Sequence, residues 1–479
     1  MDTIFEQDIY MMTFINGLEH GGQTFALGVD IPTRVYKASF EKDEKDNFVL
    51  KFSLPEGEDF NPDYFFTRPA VLSVPGHIQI ILLNSDAISF TQSLNETGPS
   101  KVEVVYKSFA TEIDPAKWER SKHCAYYRYS KKDFHYTDMS LNYDFTTHKD
   151  QYSTWRNGFL VQLPGKADVL VSFEETTEGG DAYCIFRSQN KIDSHTFEGI
   201  IEATRLLFGL LSGYCLADRA YFLSDYTTEK PKVRTPLIIR YKNDAQHLKH
   251  RYPVLDKSHY EDLDRTELKI NTCVFNNLVR LVVNNEDYMR AIRLLIDASA
   301  TSGPSRGVLA VVALESIANQ LVRKGPMAKV VTDKDVARQL DYELNKGLKK
   351  IKGKVLPDAY EKLESKVKAV NNLPNAVKLE SVFDQLGIEL DEEEQYCISC
   401  RNRFLHGALP KSIKFPALTD DEVVFMVSQR IIMLTSMLIL KKAGYGGQVI
   451  DWGFTEVMKR RAIRDGKPLK HIGNAHRTV

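Results

Sequence analysis

Cysteine is scarce in this sequence and widely scattered: six residues in 479, at positions 124, 184, 215, 273, 397 and 400. That pattern excludes a disulfide framework and fits a reducing compartment. An excess of one charge is also missing, because 63 Lys+Arg face 64 Asp+Glu. No global field therefore marks a polyanionic partner, and any nucleic-acid surface has to be local. The start, Met1-Asp2-Thr3, carries neither the basic nor the apolar region of a secretory leader. The most apolar run, 431–440, is shorter than the ~20 residues of a membrane span. Ser428, Gln429 and Arg430 precede it directly, so it reads as a buried core helix. The expectation is a soluble, cytoplasmic protein with no membrane partner. Internal repeats, low-complexity tracts, a Walker-type phosphate loop and a His-Glu-x-x-His pair are absent too. Their absence removes the usual signatures of nucleotide hydrolases and zinc peptidases.

What remains is ordinary globular material, 43% hydrophobic and 27% charged, in a chain long enough for two domains. The two halves differ in period. Residues 1–242 alternate with period two and are rich in aromatics, which predicts short strands. The segments are 24–29, 33–40, 48–54, 70–74, 78–83, 87–92, 101–109, 125–129, 158–163, 169–173, 182–187 and 237–241. Such a series predicts an antiparallel sandwich or a barrel-like domain, with one helix near 196–211 covering a sheet face. Residues 243–257, charged and containing Pro253, read as a linker. Residues 258–479 predict an all-α bundle, with helices near 260–283, 286–300, 305–323, 333–351, 357–370, 377–386, 391–406 and 420–442. Thr332-Asp333-Lys334-Asp335 and Thr419-Asp420-Asp421-Glu422 both fit the capping-box pattern of a helix start.

The chemistry concentrates in one segment. Glu392-Glu393-Glu394 leads into Arg401-Asn402-Arg403-Phe404-Leu405-His406, followed by Gly407. The acids suit the positive end of a helix dipole and the glycine suits a C-cap. Asn402 and His406, four apart, share a helix face, with Arg401 on its flank. Histidine moves protons near neutral pH, arginine holds phosphate oxygens, and asparagine can orient the imidazole or a ribose. Together they form a kit for cutting RNA with its own 2′-hydroxyl as nucleophile. The competing reading is a structural helix end that carries a capping Arg and His.

The segment 401–406 resembles the Arg-Asn-x-x-x-His signature of HEPN ribonucleases, over roughly residues 260–445. A β-rich region followed by such a bundle resembles the ApeA-like anti-phage defence proteins. The resemblance implies that Arg401 and His406 are catalytic and that Asn402 supports them. It also implies a homodimer with facing motifs, RNA such as tRNA as substrate, a phage or stress trigger, and no catalytic metal or other cofactor. A non-catalytic HEPN-like scaffold with a ligand-binding β domain is the alternative.

Weaker signals complete the list. Glu315, inside the apolar helix, either orients Arg401 or His406 or makes an ordinary salt bridge, and Asn319 shares its face. Cys397-x-x-Cys400 reads as helix packing, since no second pair completes a zinc site. Basic clusters at Lys346, Lys349, Lys350, Lys352 and Lys354, and at Lys459, Arg460, Arg461, Arg464, Lys467 and Lys470, are possible RNA-backbone contacts or plain solvated surface. His123, His135 and His148, near Tyr126, Tyr127, Tyr136 and Tyr143, line a ligand pocket or are scattered core and surface residues.

Overall fold

A computed structural model describes residues 12, 15, 24–28, 35–45, 47–55, 70–73, 79–82, 87–93, 99–110, 121–129, 141–142, 157–175, 182–216, 219–224, 238–243, 250–255, 270–322, 330–331, 333–371, 375–459 and 469–472. The chain forms two compact units. The first comprises Met1–Gly209, Tyr214–Lys249 and Asn271–Arg280; the second comprises Leu210–Gly213, His250–Ile270 and Leu281–Val479. The expected linker is thus partly structural. Within the second unit, Trp452 Nε1 donates to Pro253 O (2.6 Å) and Ile450 N donates to Val254 O (3.1 Å).

The first unit is β-rich. Its strands are β1 (Thr24–Gly28), β2 (Val35–Lys42), β3 (Phe48–Leu54), β4 (Ala70–Ser73), β5 (Gln79–Leu82), β6 (Ala87–Ser93), β7 (Ser100–Tyr106), β8 (Phe109–Ala110), β9 (His123–Tyr129), β10 (Leu141–Asn142), β11 (Asn157–Leu163), β12 (Ala167–Glu175), β13 (Ala182–Ser188), β14 (Arg219–Ser224) and β15 (Ile238–Asn243). Fourteen of them make one antiparallel sheet, in the order β11-β12-β13-β9-β14-β15-β8-β5-β4-β1-β2-β3-β7-β6. β11 and β6 end that order without pairing to each other, so the barrel expectation is corrected to an open sheet. Alternation reveals where strands lie; it does not say which strands become edges.

β14 falls on a stretch where no strand is predicted. Ala220, Tyr221 and Phe222 are all buried, so it reads as a short apolar run without alternation, the pattern of a strand covered on both faces. β9 and β13 share that property. Tyr126 and Ile185 join a cluster with Phe40, Phe48 and Phe109, whose rings lie 4.8–5.7 Å apart. On the opposite face lie His123, Tyr127 and Phe186. There helix α1 (Ser194–Ser212) stacks Phe197 on His123 (5.3 Å) and sets Phe208 against Phe159 and Phe173. His123 Nε2 is 2.9 Å from Ile192 O, and its side chain is buried. It is therefore a core residue; His135, Tyr136, Tyr143 and His148 lie outside the described residues.

Beyond β16 (Ile270–Asn271) the chain is mainly helical: α2 (Thr272–Val283), α3 (Glu286–Ala300), α4 (Pro304–Val322), α5 (Lys334–Ile351), α6 (Pro357–Ala369), α7 (Asn375–Gln385), α8 (Glu392–Ser399), α9 (Arg401–Leu405) and α10 (Asp420–Lys442). α2 starts later than the expected 260, because Asn271 Oδ1 accepts from Val274 N and ends the preceding strand with a cap; 256–269 lie outside the described residues. The capping box at Thr419 is present, with Glu422 as its partner. The one expected at Thr332 is replaced by a cap one residue on, where the Asp333 carboxylate accepts from Asp335 N and Val336 N. An all-α half is also corrected: β17 (Gln448–Ile450) pairs with β18 (Leu469–His471), and Phe454–Lys459 winds as a π-helix.

α10 is the centre of the second unit. It exceeds the run 431–440 because Val423, Val424, Met426 and Val427 extend the apolar surface, all buried. Among the described residues it is the one helix long and apolar enough to cross a membrane, and 94% of its most apolar stretch is buried inside the fold.

Candidate functional site

The segment 401–406 is held by three sets of contacts, all within the second unit. The first is at the start of α8. Asp391 Oδ1 accepts from Glu394 N (2.8 Å) while Asp391 N donates to Glu394 Oε2 (2.9 Å), a reciprocal capping box. Lys470 Nζ donates to the same Glu394 oxygen at 2.8 Å. Burial raises the Glu394 pKa above its ordinary 4.5, with Lys470 and the Asp391 amide pulling the other way.

The second set ties α8 to α10. Arg430, 3% exposed, donates through Nη1 to Glu393 Oε2 (2.5 Å) and through Nε to Asp451 Oδ2 (3.2 Å). A buried cation with two carboxylates fixes the crossing of the helices, since breaking such a network leaves an uncompensated charge. Sequence reasoning assigned the acids to the helix dipole and missed this role. The available signal was Arg430 itself, a charge inside a long apolar helix.

The third set lies at α9. Cys400 (φ −69°, ψ −13°) ends α8 and begins α9 with nearly helical backbone, so the two run on from each other. Phe404 is buried, and it lies over Gly307 of α4 so closely that an added Cβ would sit 2.5 Å from its Cδ1 and Cζ. Only glycine lets the ring approach the helix backbone that far. Gly407 closes α9 at φ +72°. Gly407 N donates to Phe404 O and Ala408 N to Arg403 O, the two bonds of a Schellman ending, as its sequence position suggested.

Within this frame the motif residues separate. Arg401 is 4% exposed, and its Nη1 lies 3.5 Å from Glu315 Oε1 on α4. That nitrogen is buried with no hydrogen-bond acceptor among the described residues. Asn402 and His406 are exposed, and His406 N donates to Asn402 O (3.1 Å). At roughly 100° per residue, Asn402 and His406 share a face while Arg401 points toward the core with Phe404. Glu315 thus pairs with Arg401, and Asn319 is exposed.

The loop after the motif is anchored at both ends. Tyr396 OH donates to Lys411 O (3.4 Å), and its ring meets Phe415 edge-on with Lys414 Nζ 5.0 Å from its centroid. Asp420 Oδ1 accepts from Ser412 N (2.9 Å). Arg403, Lys411 and Lys414 are exposed cations in the motif and the loop that follows it.

Cys397 and Cys400 are buried and form no disulfide. Burial is the first cause raising both thiols above the ordinary 9.0, which suits packing rather than thiolate chemistry. Among the described residues no three of His, Cys, Asp or Glu converge to hold a metal ion. Lys349 and Lys350 are exposed near the end of α5; Arg460 and Arg461 lie outside the described residues. No family model, curated protein or solved structure matches the chain.

Proposed function

We propose that the chain is a metal-independent endoribonuclease of HEPN type, a homodimer that acts as a toxin-like effector against phage infection. The observation that carries the reading is the segment 401–406 itself, one short capped helix with His406 and Asn402 on its open face and Arg401 fixed behind them by Glu315. In the reaction His406 takes the proton of an RNA 2′-hydroxyl as that oxygen bonds to phosphorus. The phosphorus–5′-oxygen bond breaks, and the imidazolium returns the proton to the departing oxygen. A cyclic phosphate and a 5′-hydroxyl result. Arg401, Arg403, Lys411 and Lys414 supply positive charge for the phosphate.

The burial of Arg401 favours a second reading, in which the guanidinium is a structural pin and the module binds RNA without cutting it. One experiment separates the two. Purified full-length protein is incubated with total RNA and a labelled tRNA in EDTA, beside Arg401→Ala and His406→Ala. Cyclic-phosphate ends made by the wild type and by neither folded variant support the ribonuclease; binding without cleavage supports the scaffold.

A further inference from the structure

We propose that the α5–α6 hairpin is a grip for the RNA sugar–phosphate backbone, separate from the 401–406 segment. RNA as the polyanion rests on the ribonuclease reading; the surface itself does not. The partly buried side of α5 is formed by Ala337, Leu340, Leu344, Leu348 and Ile351, of which Leu348 is the most buried. At roughly 100° per residue, Tyr342, Lys346 and Lys349 form a stripe on the opposite side, with Lys350 on its flank. Lys352 and Lys354 follow in the turn, and from Leu344 to Pro357 the chain has five lysines and no acid.

Most of these lysines lack a counter-charge. Lys346 Nζ reaches Glu343 at 4.0 Å, while Lys349, Lys350, Lys352 and Lys354 make no ion pair among the described residues and are all exposed. The end of the α5 dipole accounts for cations at Lys349, Lys350 and the C-cap Lys352; Lys354 lies beyond the cap. Tyrosines are interleaved with the charge. Tyr342 is 61% exposed with Lys346 Nζ 5.6 Å from its ring centroid, and Lys352 Nζ lies 5.9 Å from the Tyr360 ring. An open tyrosine face at Tyr342, a half-exposed one at Tyr360 and unpaired lysines at Lys349, Lys350, Lys352 and Lys354 are the chemistry of single-stranded nucleic acid binding, with bases stacked on the rings and phosphates held beside them.

The test uses the full chain and a short fluorescent 2′-O-methyl RNA, which cannot be cut by its own 2′-oxygen. Anisotropy titrations are run at several salt concentrations, with circular dichroism as the control for folding. For a single strand each phosphate contact contributes about 0.7 to the log–log salt slope, so replacing Lys349, Lys350, Lys352 and Lys354 together by Gln should lower the slope by about 3. Tyr342→Ala should weaken binding roughly five-fold or more through lost stacking. A wild type that does not bind the probe, or a folded quadruple variant with wild-type affinity and slope, overturns the proposal. Cleavage of ordinary RNA is scored separately, so failure of the ribonuclease reading and failure of the grip are distinguishable.

Discussion

Replacing Gly307 by alanine tests whether the 401–406 segment is positioned by the close approach of Phe404 to α4. Two opposed effects meet at this site. Alanine in a helix is favoured over glycine by about 1 kcal/mol. The new Cβ would stand 2.5 Å from two atoms of a ring that is 2% exposed, and forcing extra volume into a packed site costs typically about 1–3 kcal/mol. Because Phe404 has no open space to turn into, the steric cost should win, with a net loss of up to about 2 kcal/mol. Gly347 provides the control. It lies inside α5 with nothing within 4 Å of its added Cβ, so Gly347→Ala should stabilise by up to about 1 kcal/mol.

For a unit of this size 1 kcal/mol moves the melting temperature by roughly 2–4 °C. Melting followed by circular dichroism should therefore shift in opposite directions for the two alanines, and on the proposed ribonuclease reading Gly307→Ala should also slow RNA cleavage by displacing α9. A double variant sharpens the case. Phe404→Ala alone should cost about 3–5 kcal/mol, yet adding Gly307→Ala to it should stabilise by up to about 1 kcal/mol, since the clash has gone and the helix preference remains; the coupling should be about 1–3 kcal/mol. If Gly307→Ala melts at or above the wild type with unchanged cleavage, Phe404 is not wedged on Gly307 and the positioning argument fails.

Glu315→Ala removes the counter-charge of a buried guanidinium. Full burial of such a pair would imply 3–5 kcal/mol, but Glu315 is 33% exposed, so about 1–2 kcal/mol is expected; a wild-type urea midpoint would show that Arg401 does not depend on it. Glu394 makes stability respond to pH. Its folded pKa is raised above 4.5, so the proton is held more tightly in the folded chain, and this group's contribution to stability is fully present below 4.5 and lost as pH rises through the folded value. Glu394→Gln keeps a capping side chain and should flatten that part of the stability–pH curve; an unchanged curve would count against a buried, proton-hungry carboxyl. Lys470→Met removes the cation that offsets burial and should shift the same loss to higher pH.

Local chemistry made much of the helical half legible, and long-range pairing explains what stayed hidden. α10 runs from Asp420 to Lys442 as its pattern indicates, because Thr419 and Glu422 write the start into four adjacent residues and the apolar run continues to Leu440, just before Lys441 and Lys442. Gly407 could be read as a helix stop because its positive φ is a local requirement. Sheet order is different. The two-residue strand Phe109–Ala110 joins Gln79–Leu82 to Ile238–Asn243, a pairing across well over a hundred residues that no local pattern encodes.

The same distinction divides the motif. Spacing alone puts Asn402 and His406 on one face, and they share it. Whether Arg401 joins them depends on what packs against the other side, and there Phe404 lies on Gly307 and Glu315 waits 3.5 Å away on the same helix. An arginine 140° of helical rotation from the histidine, by the roughly 100° per residue of an α-helix, follows the buried side once Phe404 defines it. Its guanidinium can reach a phosphate only if the Glu315 contact is given up or the ligand comes to it from the α4 side. Arg401→Ala and Glu315→Ala therefore separate the two ways of using the residue. If Arg401 acts on RNA, freeing it from Glu315 should leave RNA affinity equal or higher; if Arg401 is a pin, both variants should lose stability and RNA affinity together.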